Sequence, residues 1–118
     1  MASYAFLKKL VLSLPEVTEE AHFEKISFRV KKKIFVTSDD HQKIAVLKLS
    51  ESDQDLFGLK DPTIIYPVQN KWGKQGWTIF HIEVVSISIL QDALVKAYCR
   101  VAPKKFSDAA VQTFYKRK

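Results

Sequence analysis

The sequence is poor in the residues that carry covalent and metal chemistry. Of its 118 residues only Cys99 is a cysteine, which excludes an internal disulfide framework and a four-thiolate zinc site. A single thiol fits a reducing cytoplasm, where the chain is expected to reside. The histidines, His22, His41 and His81, stand in separate segments without ligand spacing, so no metal site is expected. No Gly-rich phosphate loop, no nucleophile elbow and no paired carboxylates occur at a recognisable spacing. The chain is therefore not expected to be an enzyme or to hold a cofactor. No apolar run approaches the ~20 residues of a membrane span. The apolar start, MASYAFLKKLVLSLP, is split by Lys8 and Lys9 before a signal-peptide core can form. No membrane partner is expected. Repeats and low-complexity tracts are absent as well.

What remains is an ordinary globular composition, 47% hydrophobic and 27% charged, at a length that suits a single domain over 1–118. The net charge is +6, but its placement weakens the obvious reading. Residues 100–118 hold Arg100, Lys104, Lys105, Lys116, Arg117 and Lys118 against Asp108 alone, a net +5. The rest of the chain is nearly neutral, so overall basicity says little about nucleic acid. Local patches say more. Residues 25–48 carry seven basic and two acidic residues, directly after an acidic run of Glu16, Glu19, Glu20 and Glu24.

Hydrophobic spacing predicts a helix over 2–13, with Phe6, Leu7, Leu10, Val11 and Leu14 on one stripe and Pro15 ending it. EVTEEAHFEK reads as a polar connector. ISFRVKKKIFVT, at 26–37, reads as a hairpin with the lysines at its tip. KIAVLKL is a third strand, following the turn SDDHQ. SESDQDLFGL is a short helix, capped by Ser50 or Ser52 and ended by Gly58. DPTIIYPVQNKWGKQG is expected to be irregular and WTIFHIEVV to be a strand. In that strand Phe80, Ile82 and Val84 form the core face, and Trp77, Ile79 and His81 a second, half-exposed face open to a partner or covered by the C-terminal tail. SISILQDALVKAYCRVA is the last long helix, with Ser88 and Gln91 at capping-box spacing. Leu90, Leu94, Ala97, Tyr98 and Val101 make its buried stripe. Residues 106–118 form a basic tail with apolar positions at Phe106, Val111, Phe114 and Tyr115, spaced for a short helix. This order implies an α+β domain, an antiparallel β-sheet covered by N- and C-terminal helices.

Four segments, LSLPEVTEE, FRVKKKIFV, WGKQGWT and KAYCRVAPK, come in the order and spacing of one family. On them the chain resembles the MmcQ/YjbR family from about residue 4 to residue 105. The resemblance implies a CyaY-like α/β sandwich and a "double wing" DNA-binding role in which two hairpin or loop projections are the wings. It brings no enzyme activity and no cofactor. The chain differs at the hairpin tip, where the family often has two glycines and this sequence has Lys31 and Lys32. Lysine resists the positive φ of a tight turn, so a looser turn or another turn type is expected here.

The candidate nucleic-acid residues are Arg29, Lys31, Lys32 and Lys33 at the hairpin and Lys71, Trp72, Lys74 and Gln75 in the WGKQGW loop. Three to five phosphate contacts would give weak, salt-sensitive binding, and Trp72 can stack on a base. The plainer reading is a lysine tip that serves solubility and tryptophans that pin an irregular loop to the core. The other candidate is a protein- or small-ligand-binding face at Trp77, Ile79 and His81. Cys99 reads as a structural thiol, and the acidic run as a solvated connector.

Overall fold

The computed structural model describes residues 4–22, 25–39 and 43–114. Glu24, His41, most of the turn SDDHQ and the tail from Tyr115 onward lie outside these, so the readings above for those positions are not tested. Helix α1 spans Tyr4–Leu12. Strands β1 Val17–His22, β2 Lys25–Val30, β3 Lys33–Asp39 and β4 Ile44–Lys48 follow. Helix α2 is Glu51–Lys60, strand β5 Ile65–Pro67, helix α3 Lys71–Lys74 and strand β6 Trp77–His81. Helices α4, Ile87–Val101, and α5, Lys104–Phe114, end the described chain. The six strands form one sheet in the order β1-β2-β3-β4-β6-β5, with every neighbouring pair antiparallel. This is the α+β architecture expected from the sequence.

Alternation along the strands decides which face is covered. Phe28, Val30, Val36, Ala45, Leu47 and Phe80 are fully buried, and so are Leu7 and Val11 of α1 and Leu90, Ala93, Ala97 and Tyr98 of α4. Helices and strands share one core on one face of the sheet. Burying each Phe or Leu contributes ~1.5–3 kcal/mol. The core is tied by edge-to-face pairs, Phe35 with Tyr98 at 5.6 Å and Phe57 with Phe80 at 6.2 Å. A bulge in β3 explains why Phe35 and Val36 are both buried. Phe28 opposes Val36 and Arg29 opposes Ile34, which leaves Phe35 as the extra residue. The Tyr98 hydroxyl donates to the Pro15 carbonyl, and burial pushes its pKa up to about 12.

Several local expectations are corrected. EVTEEAHFEK is no simple connector, because Val17–His22 is an edge strand. Its acidic residues suit an edge, since charge there discourages pairing with another chain. Glu19 pairs with Lys8 at 3.3 Å, joining β1 to α1. Helix α2 starts at the Ser50 cap and continues through Gly58 to Lys60. The stretch expected to be irregular contains β5 and α3. Helix α4 is capped by Ser86, which accepts from Ile89 N at 3.2 Å, and not by Ser88. Val84 is 59% exposed and not core, because β6 ends at His81 and the chain turns there. Val84 N and Val85 N both donate back to the His81 carbonyl, and Val85 takes the buried place. Val101 is half-buried and packs on the core's edge.

The lysine turn is the largest departure from expectation. It is not loose. Val30 opposes Lys33, which leaves Lys31 and Lys32 as a two-residue hairpin loop, with φ of +51° and +70°. Positive φ at both central residues is the signature of a type I′ turn, which normally uses Asn-Gly or Gly-Gly. The buried residues beside it, Val30 and Phe35, hold the register. The left-handed region costs a lysine ~1–2 kcal/mol. Lys32→Gly is therefore expected to raise stability by about 1 kcal/mol, read as a higher urea midpoint at unchanged slope.

Candidate nucleic-acid interface

The register sets where the candidate residues sit. Lys33 begins β3 and Lys48 ends β4, next to it in the sheet. Lys48 opposes Trp77, the first residue of β6, and Pro67, the last of β5, opposes Thr78. The turn at Lys31–Lys32 and the loop carrying α3 thus leave from the same end of the sheet. They are three strand spacings apart, about 14 Å. Lys31, Lys32, Lys33, Lys71 and Lys74 are exposed there.

Helix α5 adds a cation that sequence spacing does not place. The Lys31 ammonium lies 5.5 Å from the Phe106 ring centre and the Lys105 ammonium 5.4 Å from the same ring. Phe106 packs against the core, so this ring docks the start of α5 beside the lysine turn. Part of the basic tail thereby joins the hairpin tip. Ala110 of the same helix is fully buried.

Arg29 is brought into a different arrangement. Its Nε donates to Ser27 Oγ at 3.3 Å and lies 3.8 Å from Glu20 Oε2. It covers the outer strands rather than standing free behind the tip. Lys74, with Asn70, lines a cleft that also contains Glu51 and Asp55 of α2. Gln75 is exposed and serves as the C-cap of α3.

Both glycines of WGKQGW are architectural. A Cβ on Gly73 would sit 2.0 Å from the Val68 carbonyl oxygen. One on Gly76 would sit 1.9 Å from the Leu49 oxygen, and φ there is +106°. Gln54 of α2, overlooked in the sequence, ties the loop down. Its Nε2 donates to Gly73 O and to Thr78 Oγ1, both at 3.0 Å. The signal for it is slight: Gln54 stands three residues before Phe57, the other buried residue of a mostly polar helix.

The helix-free face of the sheet carries a groove of about 510 Å³. Trp72 and Trp77 wall one end, and Ile34, Ile44, Val46 and Ile79 lie beneath. The alternation of β6 thus brings Trp77 and Ile79 to a half-exposed face, as the sequence suggests. His81 is not part of the groove; its Nε2 lies 2.6 Å from the Tyr66 hydroxyl. The C-terminal helix α5 packs against α4 and the hairpin tip and does not cover this face. Trp72 is 49% exposed. Lys71 stands 5.8 Å from its ring centre, and Lys48 5.7 Å from that of Trp77. Away from the site, burial pushes the Cys99 thiol up, which keeps it in the unreactive neutral form.

A six-stranded antiparallel sheet with helices on one face and two basic projections at one end defines an α+β sandwich of the kind the motifs suggest. The YjbR family model matches residues 12–100, and the chain belongs to the YjbR family. The chain is also similar to a crystal structure of Deinococcus radiodurans protein DR2400, which carries a DUF419 domain. That structure shares 22% identity at a TM-score of 0.77, with 98% of this chain and 89% of that one covered. None of the curated proteins matches the chain. Among the described residues, no helix is long and apolar enough to cross a membrane.

Proposed function

We propose that the chain is a non-enzymatic DNA-binding domain of the cytoplasm, which holds phosphates through its two basic projections. Lys31, Lys32, Lys33 and Lys105 form one contact, and Lys71 beside Trp72 forms the other. The observation that carries this reading is the register, which sets both projections at one end of the sheet about 14 Å apart. Reversing the three turn lysines and titrating a labelled duplex tests the reading.

A second reading is favoured by the open groove. Its floor is apolar and α5 leaves it uncovered, so a small apolar ligand or a protein segment fits there. Saturable quenching of tryptophan by such a ligand, with no response to DNA, would favour it over the first.

A further inference from the structure

Building on the nucleic-acid reading, we propose that the groove on the helix-free face takes an unpaired base, and that the preferred partner is a single strand rather than a continuous duplex. The basic end alone accounts for phosphates. It does not account for an apolar floor of Ile34, Ile44, Val46 and Ile79 running up to a half-exposed Trp72. A phosphate backbone gains nothing from that floor, and the bases of a duplex are stacked away from it. An unstacked base has an apolar face to lay on Trp72 or the floor, and a strand in this position keeps its phosphates near lysine.

The charge around the groove selects among occupants. Among the described residues Lys25 is the charged lining residue at one end, Lys48 and Lys71 stand over the tryptophans at the other, and no carboxylate lines it. A neutral apolar ligand makes no use of three cations. A second copy of the chain docked face to face about a two-fold axis would set this cationic rim against itself, which opposes association. A polyanion with flat apolar rings complements both the rim and the floor. Stacking of this kind tolerates any base, so little sequence preference is expected.

The test compares Trp72→Ala with the wild-type full chain. Fluorescence anisotropy is read on a labelled oligothymidylate and on a blunt duplex of equal length, at about 50 mM salt. Trp72 is exposed, and removing it leaves the fold intact, which circular dichroism checks. The single strand is expected to bind wild type more tightly than the duplex and to quench tryptophan emission. Trp72→Ala should weaken binding about tenfold on the single strand and less than about twofold on the duplex. Equal wild-type affinity for the two, with Trp72→Ala weakening neither, overturns the base-in-groove proposal and leaves lysine-held phosphates standing. Binding to neither overturns both. A dimer in sedimentation that Trp72→Ala abolishes, or an apolar dye in the groove that oligothymidylate fails to displace, also overturns this proposal.

Discussion

Gly76→Ala is expected to destabilise the domain by about 3 kcal/mol or more, through two independent penalties. The new methyl carbon would stand 1.9 Å from the Leu49 carbonyl oxygen, which is backbone and cannot swing aside. The residue would also have to keep φ at +106°, a region that side chains resist. Nor can the backbone easily retreat, since Leu49 N donates to the Gly76 carbonyl at 2.9 Å and Thr78 Oγ1 donates to it at 2.9 Å. Moving the loop would break these bonds and release Gln54, whose amide is buried against Gly73 and Thr78. The melting temperature should fall by more than about 10 °C. Gly58→Ala is the control. A Cβ there has its nearest neighbour at 3.8 Å, an ordinary contact, and alanine favours the helix. If the Gly76 variant melts within about 2 °C of wild type, the account of this loop as a rigid platform for Trp72 is wrong.

Reversing Lys31, Lys32 and Lys33 to glutamate should lower duplex affinity more than about 100-fold at low salt. Removing one lysine–phosphate pairing should reduce the slope of log affinity against log salt by ~0.9, so the three together should flatten it by nearly 3. The effect should exceed that of deleting the three positive charges alone. The new carboxylates would stand beside Lys105 and neutralise a fourth cation at the same tip. Stability should change little, since glutamate meets the same left-handed backbone that lysine already tolerates. The matched control reverses Lys9, Lys60 and Lys96. All three are exposed and belong to α1, α2 and α4 rather than to the turn, and affinity should move less than about threefold. Equal reductions in the two variants would mean that net charge matters and the turn does not.

How much was legible in the sequence depended on how local the cause was. The helices and central strands follow from spacing, because burial on one face dictates period there. The edge strand β1 was hidden. TEEA lacks an apolar alternation, and an edge needs only backbone pairing and charge. The turn at Lys31–Lys32 runs against residue propensity because register outweighs it: Val30 and Phe35 bury enough to force two lysines into the left-handed region. Within the candidate site, Lys31–Lys33, Lys71 and Trp72 were readable as a basic tip and an aromatic loop. Lys48, Lys105 and Gln54 were not. Lys48 meets Trp77 across a pairing of strands far apart in sequence, and Lys105 reaches the turn only because Phe106 docks there. Long-range pairing of this kind leaves no local pattern. The position of the basic end relative to the groove is a property of strand order alone.

The central claim is that one end of this sheet holds phosphates. Its most direct measurement is a salt titration of wild-type binding to a labelled duplex, followed by anisotropy. The account predicts measurable affinity at about 50 mM salt and a log–log slope of roughly −4 to −5, as Lys31, Lys32, Lys33, Lys71 and Lys105 displace counterions. No binding at that salt, or an affinity indifferent to salt, would contradict it.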